Sequence, residues 1–119
     1  MNKARRTAIE AIKYKIEKIR DLIEGDEDCD AVAQAEVLRP LKDKVSDLRD
    51  EEQAYLDNMP EGLQNGDKGD AAQSAIDELD NAESYLDLAI DNLNEDEVDV
   101  GPVVGNLDEV INALENAAE

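Results

Sequence analysis

Apolar residues recur along the chain with the three- and four-residue spacing of helices that pack side by side. The spacing is most regular in residues 3–24, where five isoleucines form a seam with coiled-coil character. These residues are Ile9, Ile12, Ile16, Ile19 and Ile23. Basic side chains flank the seam at Arg6, Lys13, Lys15 and Arg20. Because the flanks of one helix meet those of its neighbour, this pattern favours a partner helix with acidic flanks, and it predicts self-association through the isoleucine seam.

A second helix is predicted over about residues 30–58. Its seam residues are Leu38, Leu41, Val45 and Leu48, and Tyr55 continues the series. Pro40 lies either in the first turn of this helix or at a break within a longer one. We favour a short helix at residues 30–38, a break near Pro40 and a main helix after it. Glu52 occupies the seam position that follows Leu48, and we interpret it as a charge at a solvated helix end in preference to a functional buried charge.

A third helix is predicted over residues 70–95, where leucine and alanine alternate along one face. Its large and small seam residues are Ala72, Leu79, Leu86 and Leu93, interleaved with Ala75, Ala82 and Ala89. Small residues between large ones allow a neighbouring helix to approach closely. The residues before this helix, Met59-Pro60 and Asn65-Gly66, are typical of a helix end and a turn.

A last helix is predicted over residues 106–118, because Asn106 and Glu109 have the spacing of an N-terminal capping box. Residues 100–105 contain Gly and Pro and predict at most an isolated extended piece. No other segment has the alternation of a strand, so the predicted fold class is all-α. The loops are too short for a second domain. We therefore expect one domain over residues 1–119, a small antiparallel bundle of three to four helices with coiled-coil-like seams.

The charge of the chain changes this picture of an ordinary helical domain. Twelve Lys and Arg face 32 Asp and Glu, which gives a formal net charge of −20. Residues 1–24 hold seven basic and four acidic side chains, whereas 15 acids and no Lys or Arg follow from Asp70 onward. A surface this acidic repels phosphate backbones and anionic lipid. We therefore expect no direct binding to nucleic acid and none to membranes.

Few residues of the chain suit catalysis, cofactors or secretion. There is no His, and Cys29 is the single cysteine, so neither a disulfide nor a Cys/His zinc site is predicted. Carboxylates alone remain as general acids or bases, and 32 of them produce close pairs by chance. We expect a protein that is not an enzyme and uses no cofactor. Glu10 and Lys13 interrupt the N-terminal apolar residues, so no signal peptide is expected and a cytoplasmic location is predicted.

The acidic run at residues 26–30 resembles half of a calcium-binding loop. Asp26, Asp28 and Asp30 have the spacing of its first ligands. Ala31 stands where the tight turn needs Gly, however, and Val37 stands where a bidentate Glu belongs. A dedicated metal site is therefore not predicted.

Many acids of the second and third helices fall in stripes opposite the apolar seams. The stripe residues are Asp43, Asp47, Asp50 and Asp57 on the second helix, and Asp70, Asp77, Asp80, Asp87 and Asp91 on the third. Residues 70–96 hold nine acids. With a rise of about 1.5 Å per residue this is roughly one charge per 4.5 Å, close to the ~3.4 Å phosphate spacing of one DNA strand.

Two functions fit these stripes. In the first, the acidic helices mimic nucleic acid and occupy the basic groove of a nucleic-acid-binding protein. In the alternative, the acids are only a solvated surface on a structural or adaptor protein that self-associates through its apolar seams, with a homodimer as one such assembly. The charge favours the first, because solubility alone needs a net charge of only about 2–8.

The run Leu48-Arg49-Asp50-Glu51-Glu52-Gln53-Ala54-Tyr55-Leu56-Asp57-Asn58-Met59-Pro60-Glu61-Gly62-Leu63-Gln64 adds a family resemblance. With the acidic helix that follows, it resembles short, acidic, uncharacterised accessory proteins of phages and prophages over about residues 48–93. The resemblance implies a helical phage protein and brings no catalytic residue or ligand with it. A phage setting favours an inhibitor of a host or defence protein, such as anti-CRISPR and anti-restriction proteins.

Overall fold

The computed structural model describes residues 1–25 and 30–118, and the regular secondary structure of this part of the chain is entirely helical, with no strand. Its helices are α1 (Lys3–Gly25), α2 (Ala31–Asp57), α3 (Glu61–Gln64), α4 (Asp67–Leu93) and α5 (Val100–Ala117). The molecule measures 54 × 22 × 19 Å, with its long dimension set by the long helices. The all-α class predicted from the apolar spacing is confirmed.

The isoleucine seam of α1 lies in the core of the chain itself. Ile9 and Ile16 are fully buried, and Ile12, Ile19 and Ile23 are no more than 7% exposed. They share one hydrophobic core with the seam leucines of α2 and α4 and with the apolar face of α5. The chain's own helices therefore cover this seam, and self-association through it stays a prediction.

The break near Pro40 is not present, because α2 is one continuous helix with Pro40 inside it. A proline in this position lacks an N–H and disturbs the carbonyl four residues earlier, which belongs to Glu36. Both residues are exposed, so water can satisfy that carbonyl. The helix begins after Asp30, whose side chain accepts a hydrogen bond from the backbone N–H of Ala33 at 3.2 Å. The predicted short helix at residues 30–38 is thus the first part of a single longer helix.

The turn-rich segment between the second and third predicted helices contains the short helix α3. The Gln64 side-chain amide donates to the carbonyls of Leu56 and Met59, at 3.1 and 3.0 Å, and so ties this turn to the end of α2. Gly69 then passes close to the turn: a Cβ there would lie 1.9 Å from the carbonyl oxygen of Gln64. Only a glycine allows this approach. Helix α4 begins at Asp67, three residues earlier than predicted, and so includes Gly69 in its first turn.

The last helix is longer than predicted and starts elsewhere. The N-cap is Asp99, whose carboxylate accepts from the backbone N–H of Gly101 at 3.2 Å, and the expected capping residue Asn106 lies inside α5. Pro102 is compatible with this start, because the first turn of a helix needs no intrahelical N–H donors. The predicted extended piece at residues 100–105 is therefore wrong. It forms the first part of α5 and contributes the fully buried Val103 to the core.

The long helices do not pack equally tightly against one another. The α4 helix packs closely on both α2 and α5, α1 packs on α5, and α1 touches α2 least. The alternating alanines of α4, Ala75, Ala82 and Ala89, are buried as predicted and bring its neighbours close. The loose contact between α1 and α2 leaves a groove on that side of the molecule.

Candidate functional site: acidic helix faces

All nine acids of the two predicted stripes lie on the surface. Asp43, Asp47, Asp50 and Asp57 are exposed on α2, and Asp70, Asp77, Asp80, Asp87 and Asp91 are exposed on α4. Each stripe lies on a helix whose opposite face is held in the core by leucine, valine and alanine. The acids are therefore presented by rigid elements.

Basic side chains of α2 neutralise part of the α4 stripe. Arg49 donates to the carboxylate of Asp80 at 2.8 Å and is also paired with Glu83, while Lys42 lies 2.5 Å from Asp87. The hydrogen bond to Asp80 raises the pKa of Arg49, and the hydrogen bond to Asp87 raises the pKa of Lys42, each against the opposing effect of burial. Asp80 and Asp87 thus hold α2 against α4 and are less available to a partner.

The other stripe acids are less compensated. Asp50 lies 3.6 Å from Arg49, whereas Asp43, Asp47, Asp57, Asp70, Asp77 and Asp91 form no ion pair within residues 1–25 and 30–118. Two of them accept hydrogen bonds from a glutamine one turn earlier: Asp57 from Gln53 at 2.9 Å and Asp77 from Gln73 at 3.0 Å. These bonds orient the carboxylates without neutralising them. The net negative surface is therefore concentrated on Asp70, Asp77 and Asp91 of α4 and on the outward side of α2.

The basic flank of α1 meets the acidic helix α5. Arg20 donates to Asp108 at 2.9 Å, and the Nζ of Lys13 lies 3.5 Å from both Glu115 and Glu10. The bond to Asp108 raises the pKa of Arg20; burial alone would lower that of Lys13, but the two glutamates raise it. Arg20 and Lys13 of α1 thus meet acids of α5, so the acidic-flanked partner helix predicted for α1 is a helix of the same chain. Lys15 and Arg6 form no ion pair among the described residues.

Glu52 is buried, and its interpretation as a solvated helix end is wrong. Its side chain is 0% exposed, and the Nε of Arg5 donates to its Oε1 at 2.7 Å. The Arg5 guanidinium also lies 5.6 Å from the ring centroid of the half-exposed Tyr55. The second oxygen, Oε2, is buried and accepts no hydrogen bond from the described residues. Arg5 supplies the counter-charge that allows a carboxylate at this seam position.

The sequence did contain a signal for this pair. Arg5 stands four residues before Ile9, in the same three- and four-residue series as the isoleucines, and Glu52 stands four residues after Leu48. Arg5 lies near the start of the first helix and Glu52 near the end of the second, and these two ends meet when consecutive helices pack side by side in opposite directions. Two opposite charges in seam positions there indicate a buried ion pair. The interpretation of Glu52 as a solvated charge did not take Arg5 on α1 into account.

The loose side of the molecule carries an apolar groove between α1 and α2, which we call the α1–α2 groove. One section has a volume of about 310 Å³, and a neighbouring section has a volume of about 570 Å³. Lys15 and Lys44 line both sections. The other lining residues are Ala8, Ala11, Ile12, Asp47 and Leu48 in the first section and Ala33, Glu36, Val37, Pro40 and Leu41 in the second. Sequence reasoning did not find this groove, because it depends on how far apart two helices stand.

Neither a metal site nor a membrane span is present in the described part of the chain. No group of three or more acidic, His or Cys side chains has the arrangement of metal ligands there. Of the three aspartates in the calcium-loop pattern, Asp26 and Asp28 lie outside the described residues, as does Cys29, and Asp30 caps α2. None of the described helices combines the length and apolar character needed to cross a bilayer.

Comparison with known protein families, with curated proteins and with solved structures finds no match to this chain.

Proposed function

We propose that this chain is a non-enzymatic inhibitor or interaction protein whose acidic helices mimic nucleic acid. Its target is the basic nucleic-acid-binding groove of a host or defence protein, in the manner of phage anti-CRISPR and anti-restriction proteins. The observation that carries the proposal is the set of exposed aspartates on α2 and α4 that form no ion pair with another described residue. The alternative is a structural or adaptor protein.

The spacing of the unpaired acids supports mimicry. Asp70 and Asp77 are seven residues apart on α4, and Asp77 and Asp91 are fourteen apart. At ~1.5 Å per residue these separations are about 10.5 and 21 Å, close to three and six steps of ~3.4 Å along a DNA strand. Asp43, Asp50 and Asp57 repeat the seven-residue interval on α2, although Asp50 of this row lies 3.6 Å from Arg49. Each helix thus presents a row of carboxylates whose spacing matches the positions at which a phosphate-binding groove binds phosphates.

The internal ion pairs support it in a second way. Arg49 pairs with Asp80, and Lys42, seven residues earlier on α2, pairs with Asp87, seven residues later on α4. The two helices therefore run in opposite directions. We regard the four long helices as an antiparallel bundle, with each pair fixing the position of one helix on its neighbour. A rigid array of charges loses little conformational entropy on binding, which is an advantage for a competitor of stiff duplex DNA.

The test is competition at a defined surface. The tagged chain is used to capture proteins from a bacterial lysate at low and high salt, with and without excess duplex DNA, and captured proteins are identified by mass spectrometry. We expect nucleic-acid-binding proteins that DNA displaces and that high salt releases. Each captured protein is then tested in purified form for loss of DNA binding when this chain is added.

Two variants with the same charge change separate placement from net charge. The first carries Asp70→Asn, Asp77→Asn and Asp91→Asn on the α4 face. The control carries Glu95→Gln, Asp96→Asn and Glu97→Gln in the exposed segment between α4 and α5. Mimicry predicts that the α4 variant loses capture and inhibition while the control keeps most of both. Equal loss in the two variants, or capture that DNA does not affect, would contradict the proposal.

The α1–α2 groove favours the structural alternative as a second candidate. An apolar surface flanked by charges is typical of helix docking, and such docking would not need the acidic stripes. This alternative predicts that the α4 variant binds its partners as the unmodified chain does, and that substitutions in the groove abolish binding.

A further inference from the structure

We infer that the α1–α2 groove is the contact surface of a homodimer, in which a second copy of this chain covers it through the same groove. This inference does not depend on nucleic-acid mimicry. It rests on the charge distribution between the helices, on the composition of the groove and on its open apolar surface.

The charge distribution leaves one face on which two copies can meet. Helices α1 and α2 together hold eleven Lys and Arg and eleven Asp and Glu, so their summed charge is zero. Helices α4 and α5 also hold eleven acids, but Lys68 is their one basic residue. Two chains of net charge −20 repel each other at most orientations. Four of the basic residues of α1 and α2 pair with acids of α4 and α5, so the outward α1–α2 side is not neutral, but it is the less acidic side. Contact through it keeps the two most acidic sides far apart.

The residues of the groove complement a copy of themselves. Its charged lining consists of two basic residues, Lys15 and Lys44, and two acidic residues, Glu36 and Asp47. All four are exposed, and none of them forms an ion pair with another described residue. In a two-fold symmetric interface every contact occurs twice, so a lining with equal numbers of both charges can pair across the axis. An acidic partner helix would satisfy the lysines and oppose Glu36 and Asp47.

The apolar part of the groove gives such a dimer its driving force. That part consists of the exposed side chains of Ala11, Val37 and Pro40. Ile12, Leu41 and Leu48 lie beneath them, are only 3–5% exposed and are already covered by the described helices. The small side chains of Ala8 and Ala11 line the α1 wall and leave room for close approach. Covering this surface removes apolar area from water, and the lysine and carboxylate rim can remain hydrated.

The test is the mass of the full-length protein in solution as a function of concentration and salt, measured by sedimentation equilibrium. We expect a mass that rises from the 13.1 kDa of one chain to twice that value. Added NaCl screens both the lysine–carboxylate pairs across the axis and the repulsion between two chains of net charge −20. Since the repulsion involves many more charges, NaCl should tighten the dimer. A mass of one chain at every concentration overturns the inference. Association that NaCl weakens also overturns it, because that result indicates that attraction between opposite charges outweighs the repulsion of the acidic sides, as in contact between the α1–α2 side of one copy and the α4–α5 side of the other.

Matched arginine substitutions locate the contact. Ala11→Arg places a large charged side chain in the groove, and Ala71→Arg makes the same change at an exposed position of α4. We expect Ala11→Arg to weaken dimerisation at least about tenfold and Ala71→Arg to leave it intact. Circular dichroism and melting curves verify that both variants fold. A dimer that persists in Ala11→Arg, or is lost in Ala71→Arg, contradicts the assignment.

A charge exchange distinguishes a second copy from an acidic partner helix. Lys15→Glu with Lys44→Glu gives the groove four acids, and the inference predicts loss of the dimer. Adding Glu36→Lys and Asp47→Lys restores the balance of charges with the signs reversed, and the dimer should return. Failure of the exchanged variant to dimerise, while it remains folded, contradicts pairing of the groove with itself.

Discussion

Helices α4 and α5 carry as many acids as α1 and α2, yet the two halves are built differently. The α1–α2 half has eleven basic side chains and an open groove, whereas the α4–α5 half has one basic residue and packs closely. Close packing therefore does not follow from charge compensation. It follows side-chain size: the buried alanines of α4, and Ala113 and Ala117 of α5, allow these two helices to approach.

The same comparison explains where the basic residues act. Arg49 and Lys42 point from α2 to α4, and Arg20 and Lys13 point from α1 to α5, so each pairs with the acidic half. Ion pairs thus join the two halves to each other. Between α1 and α2 themselves Lys15 and Lys44 line the same groove, and two like charges oppose its closure.

The largest expected effect tests the difference in packing. Leu86→Ala removes a fully buried side chain of α4 and should lower the free energy of unfolding by about 4 kcal/mol. Leu48→Ala, at the floor of the groove, should cost about 2 kcal/mol, because the space left by this buried side chain opens into the groove and does not form a sealed cavity. Urea denaturation of both variants at low protein concentration measures the difference. Equal losses would indicate that the groove is closed.

The next effect concerns the ion pair that joins α1 to α2 at one end of the groove. Arg5→Met leaves Glu52 buried without its counter-charge and should lower the free energy of unfolding by about 3 kcal/mol. The double variant Arg5→Met with Glu52→Met removes both charges and should recover most of that loss. Urea denaturation of the two single variants and the double variant gives the coupling energy. A double variant no more stable than Arg5→Met would show that the pair does more than neutralise Glu52.

A smaller effect sharpens the electrostatic comparison. Repulsion within the α4–α5 half predicts that NaCl raises the melting temperature by roughly 4 °C, which is about 1 kcal/mol for a domain of this size. Asp77→Asn with Asp91→Asn should raise the melting temperature at low salt. Glu17→Gln with Glu24→Gln should lower it, because these acids lie among the basic residues of α1. Thermal melts across a salt series measure the melting temperatures of both double variants. If both variants raised the melting temperature, or both lowered it, the division into a neutral and an acidic half would be contradicted.

The smallest effect concerns one of the pairs between the halves. The Asp87 carboxylate raises the pKa of Lys42 in the folded protein. The stability from this pair is therefore fully present below the unfolded value near 10.5, and it is lost as pH rises through the higher folded value. Lys42→Met should cost about 0.2–1 kcal/mol at neutral pH, because the pair is partly exposed, and nothing at strongly alkaline pH. Denaturant titrations across this range check it; a cost that does not depend on pH would indicate lost packing.

The failures of sequence reasoning share a physical cause. Pro40 and Asn106 have strong local preferences for helix ends, but both lie inside helices. Packing of Leu38 and Leu41 on either side of Pro40, and of Val103 before Asn106, outweighs those preferences. Asp80 and Asp87 share the spacing of the other stripe acids, and only the position of α2 beside α4 separates the paired acids from the unpaired ones.

The sequence by itself determined the helical class, most residues of the core and the surface position of the acidic stripes; Tyr55, predicted to continue the α2 seam, is 41% exposed. All three follow from the periodicity of one helix, which places apolar and charged residues on opposite sides. Only the tertiary structure decided which acids are neutralised, that Glu52 meets Arg5, and that α1 and α2 stand apart over a groove. These features depend on the distances between helices, and those distances are set by side chains that lie far apart in the sequence.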